Sequence, residues 1–123
     1  MDENRIPEFL CGYFNAGNPG LTLVPETWRE NCASLWITGG GAEKNYVDGS
    51  RLMALPFEIR IRCPGRTVND RLDAVAFFTG IGRIIDRGDA DITVTSGASK
   101  SAIYENGEEE YRASYVLRYY QSN

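Results

Sequence analysis

Residues 52–63 alternate between apolar and polar side chains, and this run constrains the fold more than any other feature. Glu58, Arg60 and Arg62 fall on one face. The other face is apolar and consists of Met53, Leu55, Phe57, Ile59, Ile61 and Cys63. Because successive side chains of a strand point to opposite faces, the pattern predicts a strand with one face on the core and one exposed. Such a strand is typical of an antiparallel sheet.

Two segments have helical periodicity. Residues 5–14 space their apolar side chains by three and four, and breakers follow at 15–20. A second helix is predicted from Thr67, as N-cap with Asp70 in a capping box, to about Asp86. This helix is apolar on two sides, so it needs a second cover besides its own sheet: the N-terminal helix or a neighbouring subunit. The first side holds Ala74, Phe77, Phe78, Ile81, Ile84 and Ile85, and the second holds Val68, Leu72, Val75 and Ala76.

Shorter strand signals surround these elements. Strands are predicted at 32–38, 92–96 and 110–120, with a further start at 102–104 and an extended segment at 22–24. We expect a turn at 97–100, a hairpin at Asn106-Gly107, and a bulge or edge position at Pro56, which lacks an N–H. Together they predict an α+β fold, with a mainly antiparallel sheet of about four to five strands and two helices packed on one face. The length fits a single domain over 1–123.

Composition narrows the function classes. The 123 residues include no histidine, which excludes Ser-His-Asp and Cys-His catalysis and the zinc sites that use imidazole. Cys11, Cys32 and Cys63 are odd in number and widely spaced, so we expect reduced cysteines packed as small hydrophobes. The N-terminus resembles no signal peptide and no apolar run could span a membrane, so we expect synthesis in the cytoplasm.

Charge is distributed in blocks. The net charge of −4 divides into −4 over 1–50, +3 over 51–85, −5 over 86–110 and +2 over the remainder. Arginine supplies eleven of the thirteen basic residues, and arginine is favoured at protein interfaces. The acidic total argues against sequence-specific binding of nucleic acid.

Carboxylates are the remaining candidates for chemistry. Asp70 and Asp73 share a helix face, but acidic residues are also favoured in a first helical turn. Asp89 and Asp91 lack the further ligands of a calcium loop, and 108–110 reads as a solvated hairpin tip. We therefore expect no catalytic residue, no metal site and no cofactor.

A strand with a glycine-rich loop at 34–41 is followed by an aromatic-aliphatic-Asp-Gly-Ser turn at 46–51 and a Pro-Phe strand at 56–62. Near the start of the second helix comes Arg71-Leu72-Asp73-Ala74, followed by Phe77 and Phe78, and a tyrosine-rich strand lies at 115–120. The order of motifs over 34–78 resembles small phage proteins known as minor capsid or tail terminator proteins, and the start of their second helix and their last strand are similar. The family usually has a longer first helix.

The resemblance implies a structural protein of the virion. Members form a ring, usually a hexamer, that caps the head-proximal end of the tail tube, stops its polymerisation and presents a surface to the head-completion protein. The implied partners are other copies of the chain, the tail tube protein and the head-completion protein. DNA would pass through the ring without sequence-specific binding. From this resemblance we expect contacts between subunits or with the tube to come from Tyr46, Asp48, Arg51, Arg60 and Arg62.

The sequence is also compatible with two other classes of protein. A head-closure or tail-tube protein shares the compact α+β style, although a tube protein needs a long loop, for which only 39–50 is a candidate. A small α+β domain that binds a metabolite or RNA is a more distant alternative.

Overall fold

The computed structural model describes residues 3–17, 22–26, 33–64 and 67–122. A 3-10 turn at Glu3–Arg5 leads into helix α1, Ile6–Gly17, and the second helix, α2, covers Val68–Asp86. The strands are β1 Leu23–Pro25, β2 Ala33–Ile37, β3 Gly41–Asn45, β4 Arg51–Cys63, β5 Ile92–Ile103 and β6 Glu109–Gln121. None of the described helices is long and apolar enough to cross a membrane.

The six strands of the described residues join one sheet in the order β1-β2-β4-β6-β5, with β3 beside β4. The β1–β2 pair is parallel and the other pairs are antiparallel. The α+β class is confirmed, but the predicted count of four to five strands is wrong and the parallel pair was not foreseen. Strand β1 corresponds to the extended segment expected at 22–24, whereas every side chain of β3 is exposed, so β3 has no apolar pattern from which it could be predicted.

Strand β4 is the centre of the sheet. It pairs with β6 over its whole length, and on its other side β2 and β3 follow one another. Pro56 lies where β2 ends and β3 begins, and its carbonyl accepts a hydrogen bond from the N–H of Thr38 at 3.0 Å. The nitrogen of Pro56, which carries no hydrogen, therefore faces the gap between β2 and β3. The pairing of β4 with β6 continues past Pro56 without a register shift. No bulge occurs at Pro56, whereas the predicted edge position is met locally, because neither β2 nor β3 pairs with Pro56.

Both helices contribute to one core, which lies against the predicted apolar face of β4. Phe57 is fully buried there, with its ring centroid 6.3 Å from that of Phe14 in α1 and 5.3 Å from that of Tyr115 in β6. Cys11 and Cys63 are buried in the same cluster, whereas Cys32 lies outside the described residues. Burial raises the pKa of the Cys11 thiol to about 11. These two cysteines behave as the predicted small hydrophobes.

Helix α2 begins as predicted. Thr67 accepts a hydrogen bond from the N–H of Asp70, and the carboxylate of Asp70 accepts one from the N–H of Thr67. Helix α1 contacts the C-terminal half of α2, where the Tyr13 hydroxyl donates to the carbonyl of Ile84. The second apolar side of α2, in its first half, remains exposed. The sequence allowed either α1 or a neighbouring subunit to cover this side of α2, and α1 does not cover it.

The segment before the last strand differs from its prediction. Residues 92–103 form one strand with three register shifts, not two strands separated by a turn. Pairing with the long strand β6 keeps the segment extended although its serines, glycine and alanines have weak strand propensity. The predicted hairpin is confirmed, and Gly107 adopts φ +88°, a conformation that glycine permits.

Candidate interaction surfaces

The β3–β4 hairpin ends in a turn with a fixed shape. The N–H of Tyr46 donates to the carbonyl of Ser50, and the N–H of Gly49, at φ +89°, donates to the carbonyl of Tyr46. The Asp48 carboxylate accepts from the backbone N–H of Ser50 at 3.0 Å and from its hydroxyl at 2.6 Å. These hydrogen bonds hold the pKa of Asp48 below its usual value, so the turn keeps a negative charge. Asp48 thus shapes the turn.

Apolar and aromatic side chains extend from this turn. Val47 is fully exposed, whereas turn positions usually carry polar residues. The Tyr46 and Tyr120 rings lie 6.1 Å apart, and their hydrogen bond raises the pKa of Tyr46. A shallow hollow runs between them and is lined by Tyr46, Val47, Asp48, Ser50 and Tyr120. We call residues 46–50 with Tyr120 the hairpin tip.

Arginines and glutamates crowd the face of the sheet opposite the helices. Arg60 pairs with Glu58 at 2.9 Å and approaches Glu110 at 3.9 Å, while Arg62 approaches Glu108 at 2.9 Å. The guanidinium groups also lie over aromatic rings, Arg60 over that of Trp36 and Arg62 over that of Tyr104. We call this set the charged cluster: Glu58, Arg60, Arg62, Glu108, Glu110 and Arg112.

Two sequence predictions about this region are wrong. Arg60 and Arg62 were expected to be exposed, yet their side chains are only 18% and 21% accessible because glutamates and aromatic rings surround them. Residues 108–110 were expected to form a solvated tip, yet all three glutamates are buried. Most of their cations come from other elements, namely Arg60, Arg62, Arg71 and Lys100, and only Arg112 lies in the same strand, so the local sequence indicated little of the pairing.

Glu109 connects a different set of elements on the helix side. It accepts from Lys100 of β5 at 2.6 Å and from Arg71 of α2 at 3.0 Å. These contacts tie the first turn of α2 to the end of the β5–β6 hairpin. The ammonium of Lys100, with the Arg71 guanidinium, holds the pKa of the Glu109 carboxyl below its ordinary value.

Acid is therefore expected to remove a stabilising contribution of Glu109. Because its pKa is lower in the folded state, Glu109 stabilises the fold above its unfolded pKa of about 4.3, and this contribution disappears as the pH falls through the folded pKa. Urea denaturation of the wild type and Glu109→Gln should show a stability gap at pH 7 that shrinks towards pH 3. Glu105→Gln, at the exposed turn of the same hairpin, is the matched control. A gap that stays constant with pH would contradict the role of the ion pairs.

The charged cluster is suited to holding strands together. Three glutamates face three arginines, so the face carries no surplus of positive charge that would attract phosphate. Among the described residues, no group of three or more Cys, Asp or Glu side chains could hold a metal ion. The charged side chains of this face form ion pairs that connect β4, β6 and the hairpin before β6.

A third surface is the uncovered side of α2. Val68, Leu72 and Val75 follow one another at spacings of four and three, and each is more than half exposed. We call these three residues the α2 stripe. Arg71 adjoins it and is paired with Glu109, which lies opposite Cys63 in the sheet. The stripe is therefore near the C-terminal end of β4.

The five predicted interface residues do not form one site. Tyr46, Asp48 and Arg51 lie at the N-terminal end of β4, and Arg51 is exposed. Arg60 and Arg62 lie nine or more positions further on, about 30 Å along the strand. Sequence reasoning missed Tyr120, Trp36 and Tyr104 as parts of these surfaces. For Tyr120 and Trp36, only the alternation of their strands indicated the faces that they occupy, and Tyr104 lies just beyond the end of β5.

No family model matches the chain, and no curated protein does either.

Proposed function

We propose that this protein is a structural subunit of a long-tailed phage or prophage, and that it caps the tail tube as a ring, as a tail terminator does. The observation that carries the proposal is uncovered apolar surface at two ends of the molecule. The hairpin tip exposes Val47 and Tyr120 at one end of β4, and the α2 stripe exposes Leu72 near the other. Unlike surfaces on one subunit are what a head-to-tail ring requires.

The motif order over 34–78 adds independent support. It agrees with the tail terminator family in the glycine loop, the turn at 46–51 and the Pro-Phe strand. In this proposal the ring has six subunits, contacts the tail tube protein on one side and the head-completion protein on the other, and lets DNA pass. The finished assembly belongs to the virion.

The charged cluster has a supporting role in this proposal. Arg60 and Arg62 are engaged by glutamates of the same chain, so they keep the sheet rigid while other residues make the contacts. The interface role falls to Tyr46, Asp48 and Arg51 at the exposed end of the hairpin. In this proposal the role of the protein is structural and not enzymatic, and the carboxylates of the charged cluster are engaged by arginines.

A tail-tube subunit is the second candidate, and one observation favours it: the described residues form a sheet of six strands, more than the sequence indicated. The 39–50 segment, expected as the candidate for a long loop, instead contributes strand β3 to that sheet. A tube subunit would form open filaments by itself, whereas a terminator would form closed rings or remain dispersed until a tube is present. Negative-stain electron microscopy of the purified protein separates the two.

The direct test is inactivation of the gene in its phage or prophage. We expect overlong tubes that fail to join heads, with normal length restored when the gene is supplied in trans. Tails of normal length that join heads in the absence of the protein would refute the proposal.

A further inference from the structure

We infer that residues 39–50 form an arm that opens as a unit while the rest of the fold stays closed. The arm consists of a glycine linker, strand β3 and the turn at 46–50. When the arm is closed, β3 covers the edge of β4 at 51–54. The inference concerns a single copy of the chain and goes beyond the proposed function, which does not depend on it.

Strand β3 is attached to the fold mainly through its backbone. Each of its five residues, 41–45, is exposed, so its side chains bury no apolar core surface. Among the described strands it pairs with β4 alone, and that pairing contains a register shift between Ala42 and Lys44. A segment with few buried contacts and exposed backbone hydrogen bonds opens at a lower free energy than the core beside it. Strand β3 meets these conditions.

The arm has defined limits at both ends. The N–H of Thr38 donates to the carbonyl of Pro56 at 3.0 Å, which fixes the chain just before the arm. The three glycines at 39–41 follow, and they have the backbone freedom that a hinge requires. At the other end, Arg51 is paired with Gln121 of β6, so β4 keeps its place in the sheet when the arm leaves.

Two side-chain contacts of the described residues reach across β4 and hold the arm closed. The Glu43 carboxylate accepts from the Arg118 guanidinium of β6 at 3.0 Å, and Arg118 also donates to the Thr93 hydroxyl of β5 at 3.2 Å. The second contact joins the rings of Tyr46 and Tyr120, whose centroids lie 6.1 Å apart. The Glu43 and Arg118 side chains are 39% and 31% accessible, so water and salt weaken their attraction. The arm is therefore held by contacts that can be released.

Opening changes the surface of the molecule. Residues 51–54 would present backbone N–H and C=O groups on the side of β4 that β3 covers, and Tyr120 would lose its aromatic neighbour. Such edge groups are able to pair with a further strand. The arm therefore acts as a strap that keeps this part of the β4 edge blocked until it opens.

Hydrogen exchange of the purified protein, followed by NMR for single amides, tests the arm directly. We expect the amides that pair β3 with β4 to share one opening free energy and to exchange at least about tenfold faster than those that pair β4 with β6. Exchange of both sets at one rate would mean that the arm opens only with the whole fold. Widely different rates within β3 would mean that the strand frays and does not open as a unit. Either result would overturn the inference.

Removal of the ion pair should make the arm open more often. Glu43→Ala should speed exchange of the β3–β4 amides about threefold and leave the β4–β6 amides unchanged, because Glu43 is exposed and lies outside the core. Lys44→Ala is the matched control, because it removes the neighbouring exposed charge of the same strand, and it should exchange like the wild type. At about 1 M salt the difference between the wild type and Glu43→Ala should largely disappear. Equal exchange rates in the two variants at low salt would refute the role of the ion pair.

A variant of the hinge should act in the opposite direction. A Cβ at Gly41 would meet no other atom within 4 Å, so Gly41→Ala fits the closed arm. Alanine has less backbone freedom to gain in the open arm, so the β3–β4 amides should exchange about threefold more slowly. Unchanged or faster exchange in Gly41→Ala would show that the glycine linker is not the hinge.

Discussion

Replacing Phe57 by alanine should lower the free energy of unfolding by about 4 kcal/mol. Its ring is fully buried in the middle of β4, between Phe14 of α1 and Tyr115 of β6. Truncation removes the apolar transfer energy and leaves a cavity that three elements border. The surrounding strands are paired on both sides, so they cannot close over the space.

Urea denaturation monitored by far-UV circular dichroism measures this change. Phe9→Ala provides the matched control, because Phe9 is an aromatic residue of α1 with 40% of its surface exposed. We expect the control to lose less than about 1 kcal/mol. Similar losses for the two variants would mean that Phe57 is not at the centre of the core.

Glu110→Ala should cost about 3 kcal/mol, although the residue lies in a run of three glutamates. The Glu110 carboxylate accepts a hydrogen bond from the Tyr104 hydroxyl and lies 3.5 Å from the guanidinium of Arg112. The side chain is only 2% accessible. Alanine removes this acceptor and leaves a partly buried arginine with fewer partners, which is the costly way to break a buried ion pair.

Comparison of three variants by the same unfolding measurement distinguishes the contributions. Glu110→Gln keeps an acceptor for Tyr104 but loses the charge, so we expect an intermediate loss. Glu105→Ala changes an exposed glutamate of the neighbouring turn and should stay within about 0.5 kcal/mol of the wild type. If Glu110→Ala were as stable as Glu105→Ala, the desolvation of the charged cluster would cancel its ion pairing.

Elements whose signals are local could be predicted from sequence. Helix α2 begins and ends close to its predicted limits, because the capping box of Thr67 and Asp70 and the turn at Gly88 depend on neighbouring residues. Strand β4 was predicted over nearly its full length, because its apolar period matches the pleat. The Asn-Gly hairpin followed from the backbone freedom of Gly107.

Elements that depend on distant partners could not be predicted. Strand β3 has no apolar face, and it is a strand only because β4 offers it hydrogen bonds. Strand β5 stays continuous because β6 pairs with it through three register shifts. Of the candidate site residues, Tyr46 and Asp48 lie in an exposed turn at the end of the hairpin. Arg60 and Arg62 instead form ion pairs with glutamates of the same chain.

The sequence by itself determined the α+β class, the apolar face of β4 and the two-sided character of α2, because each is set by the spacing of residues a few positions apart. Only the tertiary structure decided that 108–110 is buried, since most of its cations come from β4, β5 and α2. It also decided that the second side of α2 stays uncovered and lies at the far end of β4 from the hairpin tip. These contacts and positions involve residues far apart in the chain, so the spacing of neighbouring residues could not predict them.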